Sequence, residues 1–314
     1  MSKPLASVVI PCFNVAATVA ETIASVQAQT VSEFEIVAVD NNCTDGTVQI
    51  LRNISAAEPR LRIVEQPVQG LSAARNAGIK SAQGEFVAFL DADDLWDREY
   101  LARHLENLAD PRVDVSYARI RKIDNDGRPA GSETKPRLQG LSAADLLKSN
   151  PCTALIVVRR SAFQRVGLFD EDLRSVEDQE WLFRALVRGG RLRGIDRVLA
   201  SYRITPGGLS ADLETMLISH GKLLDAANRI APELVAAHRT RSRGAMLRYC
   251  ARRALEHGKG RGEALRYLKE MLMVAPGLVL FEPMATARAM AAVLVGSGVQ
   301  TPADTGVTPA AREV

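Results

Sequence analysis

The feature that most limits the fold is an alternation of short β-branched runs with helically spaced apolar residues. Ser7-Val8-Val9-Ile10 is closed by Pro11, after which Val15, Val19, Ile23 and Val26 recur at the spacing of one helical face. Residues 35–39, 62–64 and 85–90 repeat the strand signal. Between them, Val48, Leu51 and Ile54 mark one helix, with Thr44 or Asp45 as its cap. Residues 72–81 mark another, with Ser72 as N-cap. Strands that alternate with helices return to the sheet in parallel. The predicted fold class is therefore α/β, with a Rossmann-like, doubly wound and mostly parallel sheet.

Composition is consistent with this and removes other classes. Of 314 residues, 46% are apolar and 25% charged, which excludes disordered and collagen-like chains. Forty basic residues against 37 acidic ones give a net charge of +3, too small to signal a nucleic-acid protein. Cys12, Cys43, Cys152 and Cys250 include no CxxC pair, so reduced thiols in a cytoplasmic protein are expected. The apolar run before Pro11 is too short for a signal peptide, and no uncharged stretch reaches the length of a spanning helix. The four histidines are scattered and read as structural.

Ligands on such sheets bind beyond the carboxyl ends of the strands, so residues 11–14, 40–42 and 91–94 are the ones to inspect. The sharpest of these is Phe89-Leu90-Asp91-Ala92-Asp93-Asp94, three carboxylates within four residues at a strand end. A divalent cation would relieve their repulsion, since Mg²⁺ or Mn²⁺ takes one or two carboxylates and completes its shell with phosphate and water. The segment reads equally as an acidic turn capping a helix that starts over 95–98. Asp40-Asn41-Asn42 can accept from a base or ribose, or form an Asx turn. Arg75 and Asn76 lie near a helix N-terminus that favours anions, though Arg75 also fits a surface position. Ser175, read as an N-cap, precedes Glu177 and Asp178; these acids either serve the helix dipole or hold a general base.

In their order these segments resemble the family 2 glycosyltransferases with the GT-A fold. The resemblance runs through residues 7–14, 34–40, 44–47, 70–78, 84–94 and 163–170 and the pair Glu177-Asp178, and covers about residues 5–210. It implies a sugar moved from a nucleoside-diphosphate donor, a UDP-sugar first of all, to a hydroxyl acceptor with inversion. The expected setting is cell-envelope polysaccharide or glycolipid synthesis, with a saccharide or lipid-linked acceptor and no nucleic acid. Pro11 and Asn14 would line the nucleotide cleft and Asp40 would face the base. Asn42, Arg75 and Asn76 would lie nearby, and Asp91 with Ala92 would meet the ribose. Asp93, with Asp91, would hold Mn²⁺ or Mg²⁺, Asp94 would support them, and Arg75 would steady the leaving group. Asp178 matches the general base, with Glu177 beside it. Two positions depart from the family: Asn41 replaces an acid, and Thr205 stands where a histidine often follows the Tyr202-Arg203 pair. A catalytically silent nucleotide-sugar-binding module is the alternative. A nucleotidyltransferase would need a glycine-rich loop with a lysine near the first strand, which Pro11-Cys12-Phe13-Asn14 does not offer.

The expected division is a GT-A domain over 1–213, a helical region over 214–298 and a disordered tail over 299–314. Leu213, Leu217, Leu224 and Ala227, then Leu265, Leu268 and Leu272, keep helical spacing. Between His238 and Lys269 ten basic residues face two acidic ones, which suggests either a solvated basic face or peripheral contact with an anionic membrane, on its inner face.

Overall fold

The computed structural model describes residues 3–295 apart from 132, 153, 154, 206, 207, 209 and 210. The expected tail over 299–314 lies outside the described residues. Eight strands form one sheet in the order β3-β2-β1-β4-β7-β6-β8-β5. They are β1 (Ala6–Cys12), β2 (Phe34–Asp40), β3 (Leu61–Glu65), β4 (Phe86–Phe89), β5 (Leu95–Trp96), β6 (Val115–Ile123), β7 (Ile156–Arg159) and β8 (Leu192–Arg203). The first four pair in parallel. β7 enters antiparallel between β4 and β6, and β6 runs parallel to β8, so the sheet is mixed but mostly parallel.

Helices α1 (Val19–Gln27), α2 (Thr47–Ala57) and α3 (Leu71–Ser81) are the predicted crossovers. Val19, Ile23 and Val26 of α1 are fully buried, as their spacing requires. Gly78 of α3 lies so close to β1 that a Cβ there would meet Val9 Cγ1 at 2.2 Å, so only glycine allows this approach. After β4 the expectation fails at one point. Leu95 and Trp96 are a short edge strand antiparallel to β8, and α4 begins only at Tyr100 (Tyr100–Leu108). Trp96 is buried and stacks on Tyr100 with ring centroids 4.0 Å apart, and this packing outweighs the local capping signal.

Three short helices, α5 (Ala143–Lys148), α6 (Arg160–Val166) and α7 (Glu177–Val187), pack on the other side of the site. Five follow: α8 (Leu213–Ile230), α9 (Pro232–Glu256), α10 (Arg261–Val274), α11 (Leu278–Phe281) and α12 (Pro283–Val295). Leu223, Leu224 and Ala227 of α8 and Val235 of α9 share a buried cluster with Val9 and Trp181. The helical region is thereby joined to the sheet through one core. A second cluster, around Leu247, Tyr267 and Met271, holds α9 to α10. On α10 the predicted apolar stripe shifts: Ala264, Tyr267, Leu268 and Met271 face inward, while Leu265 and Leu272 are exposed. Much of the basic excess is taken up by ion pairs, including Arg239 with Asp225, Arg241 and Arg248 with Glu282, Arg253 with Glu256, and Arg266 with Glu214. Among the described residues no helix is long and apolar enough to cross a membrane.

Candidate active site

The strand register places Cys12 beside Asp40 and Val9 beside Phe89, so the loops after β1, β2 and β4 open at one edge of the sheet. Asp40 ends β2, and its Oδ1 accepts from the Cys43 backbone N–H at 2.9 Å, closing the turn that leaves the strand. Asn14 and Asn42 both adopt the left-handed conformation, which asparagine tolerates better than most residues. Asn14 Oδ1 accepts from the Thr44 N–H at 2.8 Å and ties the first loop to the second. Asn42 Nδ2 donates to the Pro67 carbonyl at 3.0 Å. Asn41 is buried: it donates to the carbonyls of Gln66 (3.0 Å) and Val68 (2.7 Å) and accepts from the Gly70 N–H. The departure at this position therefore makes a brace for the loop over 66–70. Pro11 is buried within β1. Phe13, half exposed beside Asn14, is the neighbouring aromatic that the sequence reading passed over.

The acidic loop is a turn closed by Asp94 N–H donating to the Asp91 carbonyl at 3.0 Å. Thr18 and Thr22 pin it from below, donating to the Ala92 carbonyl at 2.8 and 2.9 Å. Ala92 is consequently buried. Arg203, also buried, clamps the loop from the far side. Its N–H donates to Asp94 Oδ1 (2.8 Å), its Nε to the Asp93 carbonyl (2.8 Å) and its Nη2 to Glu21 Oε2 (2.8 Å). Burial, with Asp93 and Asp91 close by, raises the Asp94 pKa well above the usual carboxylate range, and Oδ2 has no hydrogen-bond partner.

Asp93 behaves differently. It is half buried, and its side chain accepts from Thr205 Oγ1 at 3.3 Å, so the threonine that departs from the family pattern bonds directly to this carboxylate. Burial and then the Asp91 charge push the Asp93 carboxyl up to about 6. An anion destabilised in this way is the electrostatic setting that a cation relieves. No cluster of three His, Cys, Asp or Glu side chains suited to a metal exists among the described residues. A hard divalent ion needs only one or two carboxylates beside phosphate and water. Asp93 and Asp91 fit Mn²⁺ or Mg²⁺ on those terms.

Arg75 joins this loop to the opposite wall. Its side chain is 1% exposed; Nη2 donates to Asp91 Oδ1 at 2.7 Å and Nη1 to Glu177 Oε1. Burial opposes the guanidinium charge, but Asp91, Glu177 and Asp178 overcome it and raise the Arg75 pKa. Arg75 is thus not a surface residue, and Glu177, buried against it, is a partner of the cation. Asn76 is likewise buried. It donates to the Phe169 carbonyl (2.9 Å) and to Glu171 Oε1 (2.8 Å), tying the segment before α7 to α3.

Asp178 stands in the first turn of α7, half buried. Asn150 Nδ2 donates to its Oδ2 at 2.7 Å and the Gln179 N–H to its Oδ1 at 2.7 Å. Burial and the neighbouring Glu177 push the carboxyl up to about 7, against the opposing pull of Arg75. Two expected caps are corrected here. Val176, not Ser175, precedes α7, with φ 57°, and Ser175 Oγ is buried without a partner. A β-branched residue in this region is strained, which occurs where the surrounding structure fixes it. Ser72 lies inside α3, whose cap is Gly70 (φ 148°), and donates to the Leu173 carbonyl at 3.3 Å. At α2, Gly46 takes the cap position, while Asp45 Oδ1 accepts from the Thr47 N–H. Asn150 and Arg203 are the residues of the site that sequence reasoning did not place.

Residues 7–167 match the family model described as Glycosyl transferase family 2. The chain is 31% identical over 217 residues to the uncharacterized glycosyltransferase EpsJ of Bacillus subtilis (strain 168), covering 66% of this chain and 63% of that protein. It is 29% identical over 213 residues to the putative teichuronic acid biosynthesis glycosyltransferase TuaG of the same organism, covering 67% and 83%. The match thus spans less than two thirds of EpsJ. Among solved structures, mannosyltransferase PcManGT from Pyrobaculum calidifontis, in complex with GDP-Man and Mn²⁺, superposes with a TM-score of 0.62 at 21% identity, covering 98% and 89%. S. aureus TarS 1-349 in complex with UDP-GlcNAc gives 0.59 at 19%, covering 92% and 90%. The fold is that of the GT-A glycosyltransferases. The chain belongs to glycosyl transferase family 2.

Proposed function

We propose that this chain transfers a sugar from a nucleoside-diphosphate donor, a UDP-sugar first of all, to a hydroxyl of a saccharide or lipid-linked acceptor, with inversion at the anomeric carbon. The observation that carries this reading is Asp178. It is a carboxylate at the start of α7, oriented by Asn150, with its pKa pushed up to about 7. A base near the working pH takes a proton most effectively, and such a step contributes about 10² to 10⁴ in rate. Attack by the acceptor oxygen on the anomeric carbon breaks the bond to the diphosphate while Asp178 receives the hydroxyl proton.

The donor half of the proposed site lies in the domain expected over 1–213, against which helices α8 and α9 pack. Asp40 would meet the base, with Asn14 and Asn42 at its margin. Asp93 and Asp91 would hold Mn²⁺ or Mg²⁺, which when bound supplies neutralising charge for the departing diphosphate. Arg75 acts through Asp91, whose carboxylate it orients toward the same place. The Mn²⁺ in the PcManGT complex and the UDP-GlcNAc in the TarS complex support a metal and a UDP donor by analogy of fold. The name of TuaG supports a setting in envelope polysaccharide synthesis.

The test is calorimetric titration of UDP, GDP, dTDP and CDP, each with and without Mn²⁺, into the wild type and Asp93→Ala. One nucleotide is expected to bind, only with Mn²⁺, and to lose that dependence in the variant. Binding that is indifferent to both metal and variant would remove Asp93 from the metal role. No binding of any nucleotide to folded protein would overturn the donor reading, whereas metal-linked binding with no turnover of the matching nucleotide-sugar would favour the silent binding module.

A further inference from the structure

The outer surface of the last three helices has a composition that a water-facing surface rarely carries. A helix on the surface of a globular protein buries one apolar stripe and turns polar residues outward. On α12 the inward stripe is Thr286, Ala289 and Val293, packed beside α9, where Arg248 Nη1 donates to Thr286 Oγ1 at 3.0 Å. Its outward face is nevertheless Met284, Ala287, Arg288, Ala291 and Leu294. Met284 is 68% exposed and Leu294 66%. Immediately before it, Leu280 is 79% and Phe281 73% exposed, and α10 adds Leu265, Leu272 and Met273.

The exposed charges on these three helices include Arg266, Lys269 and Arg288. Arg266 pairs with the exposed Glu214 of α8, which leaves Lys269 and Arg288 as the cations of this face. The acids of the same stretch, Glu263, Glu270 and Glu282, are half buried and each lies beside an arginine: Glu263 near Arg266, Glu270 near Arg243, and Glu282 between Arg241 and Arg248. Exposed apolar side chains beside Lys269 and Arg288 make the pattern of an interfacial surface, in which the apolar groups enter the acyl boundary and the cations meet anionic headgroups. A second copy of this chain would bring the same positive charges against themselves, which disfavours self-association here.

We infer that the outer face of α10, α11 and α12 docks this protein on an anionic lipid bilayer, with Leu280, Phe281 and Met284 as the inserted residues and Lys269 and Arg288 as headgroup contacts. The inference does not depend on the transfer reaction. It moves the membrane contact away from the basic stretch of α9, whose arginines are largely paired within the protein.

Co-sedimentation of the full chain with phosphatidylglycerol vesicles and with phosphatidylcholine vesicles, at low and at high salt, tests it. Binding is expected to phosphatidylglycerol at low salt, weakened by salt, and weaker or absent with phosphatidylcholine. Lys269→Gln/Arg288→Gln should weaken it by about thirtyfold, from the usual contribution of two headgroup cations. Leu280→Glu/Met284→Glu, two highly exposed positions, should abolish it with an unchanged thermal melt. Wild-type protein that ignores phosphatidylglycerol at low salt would overturn the inference. So would full binding by the Leu280→Glu/Met284→Glu variant, or a concentration-dependent dimer dispersed by that variant without vesicle binding, which would assign the face to a second copy.

Discussion

Asp178→Asn is expected to lower turnover by about 10² to 10⁴ while nucleotide affinity stays within about twofold. The amide keeps the size of the carboxylate and can still face Asn150, so the wall of the site is preserved and only proton removal is lost. The pH dependence adds a second readout. Burial and Glu177 hold the Asp178 carboxyl protonated up to about pH 7, and a protonated carboxyl cannot act as a base. kcat/KM for the wild type should therefore fall about tenfold for each pH unit below about 7. The residual activity of Asp178→Asn should lack this acidic limb. The comparison needs the donor that calorimetry selects, a simple hydroxyl acceptor or water, and initial rates from pH 5 to 9. A variant with near-normal turnover, or one that keeps the acidic limb, would take Asp178 out of the base role.

The legible part of this protein is the part set by local periodicity. Val19, Ile23 and Val26 had only one way to bury together, and β1 to β4 with their helices follow from such runs. The acidic loop was equally plain, because three carboxylates at the end of an apolar strand have few places to go. What could not be read is what depends on distant partners. Arg75 looks like a cation on a helix surface until Glu177, 102 residues later, is brought against it. Asn76 and Ser72 are polar residues on a helix that prove to hold the backbone of Phe169 and Leu173. The caps failed for a related reason. Residue type favoured Ser72 and Ser175, but the helix start lies two residues earlier at Gly70 and, under strain, one residue later at Val176. The edge strand at Leu95 and Trp96 exists only because β8 lies beside it.

Arg75→Met should be the most damaging single change outside the acids. Arg75 is buried between two carboxylates of unequal exposure: the Glu177 side chain is 5% exposed and that of Asp91 28%. Without the cation, Glu177 is left charged and unsolvated, or must take up a proton. Breaking a buried pair in this way costs about 3 to 5 kcal/mol. Asp91 can recover water and loses less. Arg75→Met/Glu177→Gln should therefore regain most of the lost stability, and chemical denaturation of the wild type, both single variants and the double variant measures the coupling. Function should not return with stability. In the double variant Asp91 lacks the donor that orients it, so metal-linked nucleotide affinity should remain reduced. Two changes act on Asp178. Loss of Arg75 removes an attraction that favours its ionised form and raises its pKa, while loss of the Glu177 charge lowers it. The single Arg75→Met variant should thus move the acidic limb of kcat/KM to higher pH, and the double variant should move it back. Additive stability losses, with no coupling between positions 75 and 177, would mean that this buried cation does not link the two walls of the site.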